Sequence, residues 1–397
     1  MKKLSRKTLG KRIAISVVAM LIAASMAIGA YLTYTTVSSL ISSNQNLNDV
    51  KFRLEKELEA LKAEIEALKT QDQVKRNEAL QEQITLIQKA YDQAVVVYEE
   101  LLDLKGKTTK TVELDSLFAQ ALSELSEKNY ASGSATLASL KTKIADEDKK
   151  LAAAVTIPTN VPQNNTPPGA GYSRQQVATD AGTFMVSVVA ADLASTKVIV
   201  DTASDADCGN NCPVLPLATY ASRSGAFAGV NGSYFCPASY PSCAGKTNTF
   251  DLLVMNKNKY YFNSANNVYS TNPAVIFGGG YVRFVSSASQ WGRDTGVDGV
   301  LSNYPLLVEG GNIKFGGDDD PKKGSKGNRS FVANKGSTVY IGVAHNVTVA
   351  ESARVMKAMG MENALNLDSG GSTALWSGGY KVGPGRDLPN VILFVKK

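Results

Sequence analysis

The segment Asn366-Leu367-Asp368-Ser369-Gly370-Gly371-Ser372-Thr373 sets a carboxylate where an apolar strand runs into a glycine-rich turn. The paired glycines let successive backbone N–H groups aim at one point, and Ser372 and Thr373 add hydroxyl donors. Such a nest suits an anion, phosphate above all. No lysine follows the glycines, which excludes a P-loop. Alone, Asp-Ser-Gly-Gly is ordinary turn chemistry, so its neighbours decide its meaning.

Upstream lies an apolar approach, Ala364-Leu365, and before it a well-signalled helix. Thr348 is its N-cap, Glu351 completes a capping box, Val349, Ala353 and Met356 form the inner face, and Gly360 stops it. Further out, Thr183–Val189 and Lys197–Val200 alternate as strands do. Ala226–Phe235 is an apolar strand entering Asn231-Gly232 and two aromatics. Ser302–Gly311 is another strand entering a glycine turn. Asn328-Arg329-Ser330 precedes a strand pair ending at Val343, and Arg386-Asp387-Leu388-Pro389-Asn390 precedes the last strand, Val391–Val395. Residues 173–397 are therefore expected to form an α+β domain dominated by strands.

In this order the blocks resemble the phosphodiester glycosidase family: an Asn-Gly-aromatic block, a Pro-Leu-Leu-Val…Gly block, an Arg-Ser block, a helix leading into Asn-Leu-Asp…Gly-Gly-Ser-Thr, and an arginine ahead of Pro-Asn. The resemblance covers residues 173–397 and implies an enzyme that hydrolyses a sugar C1–O bond whose oxygen also belongs to a phosphodiester. The transition state of such a reaction is oxocarbenium-like, and glycosidases commonly meet it with two carboxylates. The phosphate monoester leaves with little need of a proton, its second pKa being about 6. The resemblance implies Asp368 as the carboxylate facing the sugar, with Asp251 or Glu309 as the second catalytic group. It implies Asn231, Arg329, Asn366, Gly370, Gly371, Ser372, Thr373 and Arg386 as substrate-binding residues, Arg329 holding phosphate in a bidentate way. Arg386 has a structural alternative, tying the last strand to the core. Ser369 departs from the family, where glycine is usual, and its Cβ would restrict the turn if φ there is positive. The His345 segment departs as well. A non-catalytic module binding phosphorylated glycans and a glycosidase acting on ordinary glycosides are the alternative functions.

No cofactor is expected. Asp318-Asp319-Asp320 offers carboxylates for calcium, but the run leads into Pro-Lys-Lys as solvated loops do. His345, the only histidine, reads as a satisfied structural residue. A Ser372–His345–Asp triad would lack the G-x-S-x-G setting.

The four cysteines, Cys208, Cys212, Cys236 and Cys243, are clustered, and in an exported domain they read as disulfides. Local pairs, Cys208–Cys212 and Cys236–Cys243, are expected. Zinc is the alternative, with spacings wider than C-x2-C pairs.

Ahead of the domain, residues 155–172 carry Pro158, Pro162, Pro167 and Pro168 among Asn, Gln and Thr, the composition of a solvated linker. Residues 44–154 read as helical. Leu54, Leu58, Leu61, Ile65 and Leu68 form a heptad seam. A second seam, Leu80, Ile84, Ile87, Tyr91, Ala94, Tyr98 and Leu101, is out of phase with it, and Gly106 interrupts. The region is either a dimerising stalk or a helical bundle acting as a spacer. From residue 13 to 34 the chain is uncharged and apolar enough to cross a membrane. Lys2, Lys3, Arg6, Lys7, Lys11 and Arg12 precede it, which predicts a cytoplasmic tail over 1–12 and export of everything after. Ser25-Met26-Ala27 leaves a cleaved signal peptide as the alternative. That cluster accounts for the net charge of +6, and the exported part lacks the basic, aromatic-interleaved surface of a nucleic-acid binder.

Overall fold

The computed structural model describes residues 6–265 and 269–397; residues 1–5, with Lys2 and Lys3, and the side chains of residues 6–10 lie outside what is described. Contacts divide the chain into two units, one ending at Leu86 and one running from Ile87 to Lys397. The first is most of a single helix, α1 (Arg6–Lys105). A slip in apolar phase rotates the stripe around a helix without removing a backbone bond, so α1 runs unbroken through the slip between the two seams. Leu54, Leu58, Leu61, Ile65 and Leu68 are all exposed. The helix includes a stretch long and apolar enough to cross a membrane.

In the second unit the end of α1 packs with α2 (Val112–Ser126) and α3 (Tyr130–Ala154). Val97, Leu101, Leu104, Leu114, Ala121, Leu137, Leu140 and Ile144 form the core of this bundle. The Pro/Asn-rich stretch after it is not free-standing. Its residues 161–166 lie along β1 (Gly171–Thr179). Asn164 N–H donates to the Gln176 carbonyl, Gln176 N–H donates to that of Pro162, and the Gln175 amide donates to the Asn164 and Thr166 carbonyls. These bonds satisfy an edge strand that would otherwise present unpaired backbone groups.

Among the described residues three antiparallel sheets follow. The first runs in the order β1, β2 (Gly182–Asp192), β13 (Thr338–Val347), β12 (Gly327–Lys335), β14 (Asn363–Ser369), β10 (Leu306–Glu309), β11 (Asn312–Ile313). The second runs β16 (Tyr380–Val382), β15 (Leu375–Ser377), β4 (Ala228–Asn231), β17 (Asn390–Lys396), β3 (Thr196–Thr202). The third runs β6 (Tyr261–Phe262), β5 (Val254–Met255), β9 (Gly299–Ser302), β7 (Ala274–Phe277), β8 (Val282–Val285). One face of the first sheet meets the other two around Val189, Ile341, Leu365, Val230, Ile392, Phe277 and Leu301. Its other face is covered by α6 (Val349–Ala358) through Val349, Ala353, Val355 and Met356. Thr183–Val189 is expected to alternate, but β2 is buried at every position from Phe184 to Ala191 because both faces of the sheet are covered. The expected capping box is present: Thr348 accepts from Glu351 N–H, and the Glu351 carboxylate accepts from Thr348 N–H. Two short helices, α4 (Leu217–Arg223) and α5 (Pro321–Gly324), complete the domain. The cysteines pair as Cys208–Cys212 and Cys236–Cys243.

Candidate functional site

The site forms where β14 leaves the first sheet. Its ladder with β12 pairs Asn366 with Phe331 and Ser369 with Arg329, so Leu367 and Asp368 together face one residue, Ser330. This is a β-bulge, a device that re-aims a side chain at a strand end. Released from the ladder, Asp368 N–H donates to the Gly232 carbonyl at the end of β4 (2.9 Å). Asp368 therefore stands at the junction of two sheets.

Buried asparagines hold that junction. Asn231 donates to the Asp368 carbonyl (2.6 Å) and accepts from Ser330 Oγ (2.7 Å) and Ala374 N–H (3.1 Å). Asn366 donates to the Tyr234 hydroxyl (2.8 Å) and to the carbonyls of Tyr304 and Leu367. Asn303 donates to the Asn366 carbonyl (2.8 Å) and accepts from Tyr234 N–H (2.9 Å). Asn390 accepts from Ser233 N–H (2.8 Å). All four are fully or almost fully buried, and each bonds within the protein, although the Asn366 Oδ1 has no partner among the described residues. Asn231 and Asn366, expected on substrate, bond the Asp368 carbonyl and the Tyr234 hydroxyl and so help set their positions. A buried carboxamide and a ligand-binding one look alike in sequence.

Ser369 is extended, with φ −141°, so its Cβ causes no strain. The positive φ falls one residue later, on Gly370 (φ 63°). Gly371 is required by close approach: a Cβ there would lie 2.3 Å from Arg386 Nη2. The turn thus brings Arg386 against its own backbone, and Arg386 N–H donates to the Gly371 carbonyl (2.7 Å). Ser372 is buried beneath the turn and bonds to Asp368. Thr373, also buried, reaches the Asn328 carbonyl (3.4 Å).

Burial pushes the Asp368 carboxyl up to about 6. The Ser372 hydroxyl, the Arg386 charge and the Ser369 N–H each pull it down, and Asp251 pushes it up. The Asp251 carboxyl is itself raised by burial against the pull of Lys246, though its side chain keeps an exposed edge. Asp251 reaches the site because its N–H donates to the Tyr234 carbonyl and Phe250 bridges Phe235. Asp368 thus senses the charge of Asp251, a second carboxyl of the same neighbourhood.

Of the candidates for the second carboxylate, the structure brings in Asp251 and leaves out Glu309. Glu309 ends β10 beside the start of β14, where Val308 pairs with Ala364, and its carboxylate bonds Lys314 (2.8 Å). Asp368 lies some four to five residues further along β14, roughly 15 Å at about 3.3 Å per residue.

The two arginines, both expected on substrate, differ in their surroundings. Arg329 is 8% exposed. Its guanidinium donates to the carbonyls of Lys322 (2.7 Å), Ser325 (2.7 Å) and Val347 (3.3 Å), tying the α5 loop to β13. These bonds, made by Nε and Nη2, clamp the loop, and the guanidinium also senses the charge of Asp368. Arg386 is only partly buried and sits beside Asp368, Gly371 and the ring of Tyr240.

Aromatics complete the rim, among them Tyr234 of the Asn-Gly-aromatic block. Tyr234 and Tyr304 pack with centroids 5.0 Å apart. Burial and the Asp368 charge raise the Tyr234 phenol, so it remains a donor. Lys323 lies over Tyr304, and Lys322 and Arg386 both lie over Tyr240. Asp318 and Asp320 turn to Lys323, and among the described residues no cluster of three or more metal-ligating side chains occurs.

His345 is not part of a triad with Ser372. It bonds Ser187 Oγ (3.0 Å) and Asn328 Oδ1 (3.2 Å). Burial, and secondarily the charge of Arg174, lowers it to about 4. The unfolded chain then takes up its proton first, near 6.5. His345 therefore contributes stability above pH 6.5 that is lost as pH falls towards 4. An NMR titration of the His345 ring should give a midpoint near 4; a midpoint of 6.5 or higher would contradict this placement.

Residues 224–395 match the family model described as phosphodiester glycosidase. The matched stretch covers most of the C-terminal domain, which is similar to that family over those residues. Among curated proteins none matches. Solved structures similar to the chain include a protein from Synechocystis (14% identity, TM-score 0.41, 57% of this chain and 62% of that one). Another is the catalytic domain of zebrafish N-acetylglucosamine-1-phosphodiester α-N-acetylglucosaminidase, auto-inhibited by its pro-peptide (15% identity, TM-score 0.46, 60% of this chain and 87% of that one). A third is an exported protein of Burkholderia pseudomallei (13% identity, TM-score 0.35, 55% of this chain and 76% of that one).

Proposed function

We propose that the chain is an extracytoplasmic hydrolase that cleaves glycosyl phosphodiesters in an envelope or extracellular glycan. The observation that carries this reading is the pairing of Asp368, raised to about 6, with a cation: Arg386 closes over Gly371 on one side of Asp368. A carboxylate faces developing positive charge at the anomeric carbon, and a guanidinium fork faces the departing phosphate. Water supplies the hydroxyl that joins C1. The C1–O bond breaks, its electron pair stays on the phosphate oxygen, and the products are a free sugar and a phosphate monoester. Asp368 and Asp251 share the handling of the proton released by the water. The apolar stretch of α1 serves as an uncleaved anchor with its basic tail in the cytoplasm, and the two disulfides accord with an oxidising compartment. The exposed seam from Leu54 to Leu68 gives a homodimer a place to form.

The test is turnover by the full chain of a sugar linked through C1 to a phosphodiester, beside the same sugar as an aryl glycoside. Release of free sugar and phosphate monoester from the first substrate is expected, with little cleavage of the second. Binding without turnover would make the domain a phosphoglycan-binding module, and equal cleavage of both would make it an ordinary glycosidase.

A further inference from the structure

The helical bundle reaches the rim of the site. Glu99 and Asp103 are one helical turn apart on the same face of α1. Glu99 is buried and accepts from Ser242 N–H (3.0 Å); Asp103 accepts from the Tyr240 hydroxyl. Both partners belong to the short loop closed by Cys236–Cys243. Two carboxylates of α1 thus grip one disulfide-bounded loop and fix its tyrosine.

That tyrosine carries two cations. Lys322 Nζ lies 5.1 Å from the Tyr240 ring centroid and the Arg386 guanidinium carbon 5.4 Å from it. Like charges do not gather without a reason. The ring's π density and the Asp103 charge at its hydroxyl offset their repulsion, and the remaining positive field meets the site from the Arg386 side. Burial, then the charge of Asp103, raises the Tyr240 phenol above its ordinary range, so it stays a donor to Asp103.

We propose that Tyr240, held by Asp103 of α1, is a positioning residue for the phosphate subsite, keeping Arg386 and Lys322 on its ring so that both cations meet one anion. The proposal rests on the phosphodiester reading and deepens it: the substrate's phosphate is bound in a subsite whose scaffold is partly the bundle. Tyr240 itself touches no reacting atom.

The test uses the full chain and glucose 1-phosphate as the anionic probe, with methyl glucoside as the neutral one. Calorimetry should show Tyr240→Leu weakening glucose 1-phosphate binding by about ten-fold, the scale of cation–π and charge-geometry losses. Tyr240→Phe keeps the ring and should weaken it by about three-fold, and Asp103→Leu, which removes the bond to Tyr240 and the charge behind it, should weaken it at least as much. Methyl glucoside should behave alike in all variants. With a phosphodiester substrate, KM should rise more than kcat falls. If the wild type binds glucose 1-phosphate and folded Tyr240→Leu and Tyr240→Phe both bind it equally well, this inference fails while the phosphodiester reading stands. If the wild type neither binds the probe nor turns over a phosphodiester, both fail together.

Discussion

Asp368→Asn is expected to remove nearly all turnover of a glycosyl phosphodiester while making the folded chain somewhat more stable above pH 6. The two effects have one cause. Burial raises the Asp368 carboxyl from 3.8 to about 6, so the folded protein holds that proton more tightly than the unfolded chain does. A raised acid contributes stability below the unfolded value, which is lost as pH climbs through the window from 3.8 to 6. About two units correspond to about 3 kcal/mol. Asparagine never pays this penalty. It gives back part of the gain, because it accepts less well from the Ser369 N–H (2.8 Å) and the Ser372 hydroxyl. A net gain of about 1 kcal/mol at pH 7.5, vanishing near pH 4, is the expected remainder. Activity moves the other way. The charge facing the anomeric carbon is needed only in the transition state, so kcat should fall by about a thousand-fold with ligand binding little changed. Wild-type kcat/KM should rise with pH through about 6 as Asp368 ionises. Melting curves at pH 4 and 7.5, read beside turnover on the same preparation, decide the matter. A destabilised but fully active variant would mean that Asp368 merely caps the turn.

Much of this arrangement is legible in the sequence wherever a local rule acts. The capping box of α6, the strand that ends on Asp368 and the neighbouring cysteine pairs all depend on residues a few positions apart. The role of a polar side chain is not legible in that way, because it is decided by partners far along the chain. Asn231 is committed to Asp368, 137 positions away, and Ser330, 99 away. Tyr240 acquires its meaning only when α1 and the α5 loop converge on it. The composition of residues 155–172 is that of a free linker, yet the open edge of β1 recruits them. The phase slip in α1 breaks a coiled-coil seam on paper and leaves the helix intact.

The arginines give the second large effect, and they should separate cleanly. Arg329→Ala removes the donors that satisfy the carbonyls of Lys322, Ser325 and Val347 in a buried place. A buried acceptor left without a partner costs about 1–3 kcal/mol, and the lost side chain adds a cavity. The variant should be destabilised by roughly 4 kcal/mol, while the activity of the molecules that remain folded stays close to wild type. Arg386→Ala should show the reverse. Arg386 is partly exposed, and its contacts are the Tyr240 ring, the Gly371 backbone face and the charge of Asp368. Stability should stay within about 1 kcal/mol. A charge-assisted fork on phosphate is worth about 1.5–3 kcal/mol, so KM should rise roughly ten- to a hundred-fold, with a fall in kcat as leaving-group charge develops. Arg386→Lys keeps the charge and loses the fork, and should recover only part of the loss. Measuring melting temperature, KM and kcat for the three variants tests the assignment. A stable Arg329→Ala protein with a raised KM, beside an Arg386→Ala protein with wild-type KM, would return the phosphate to Arg329.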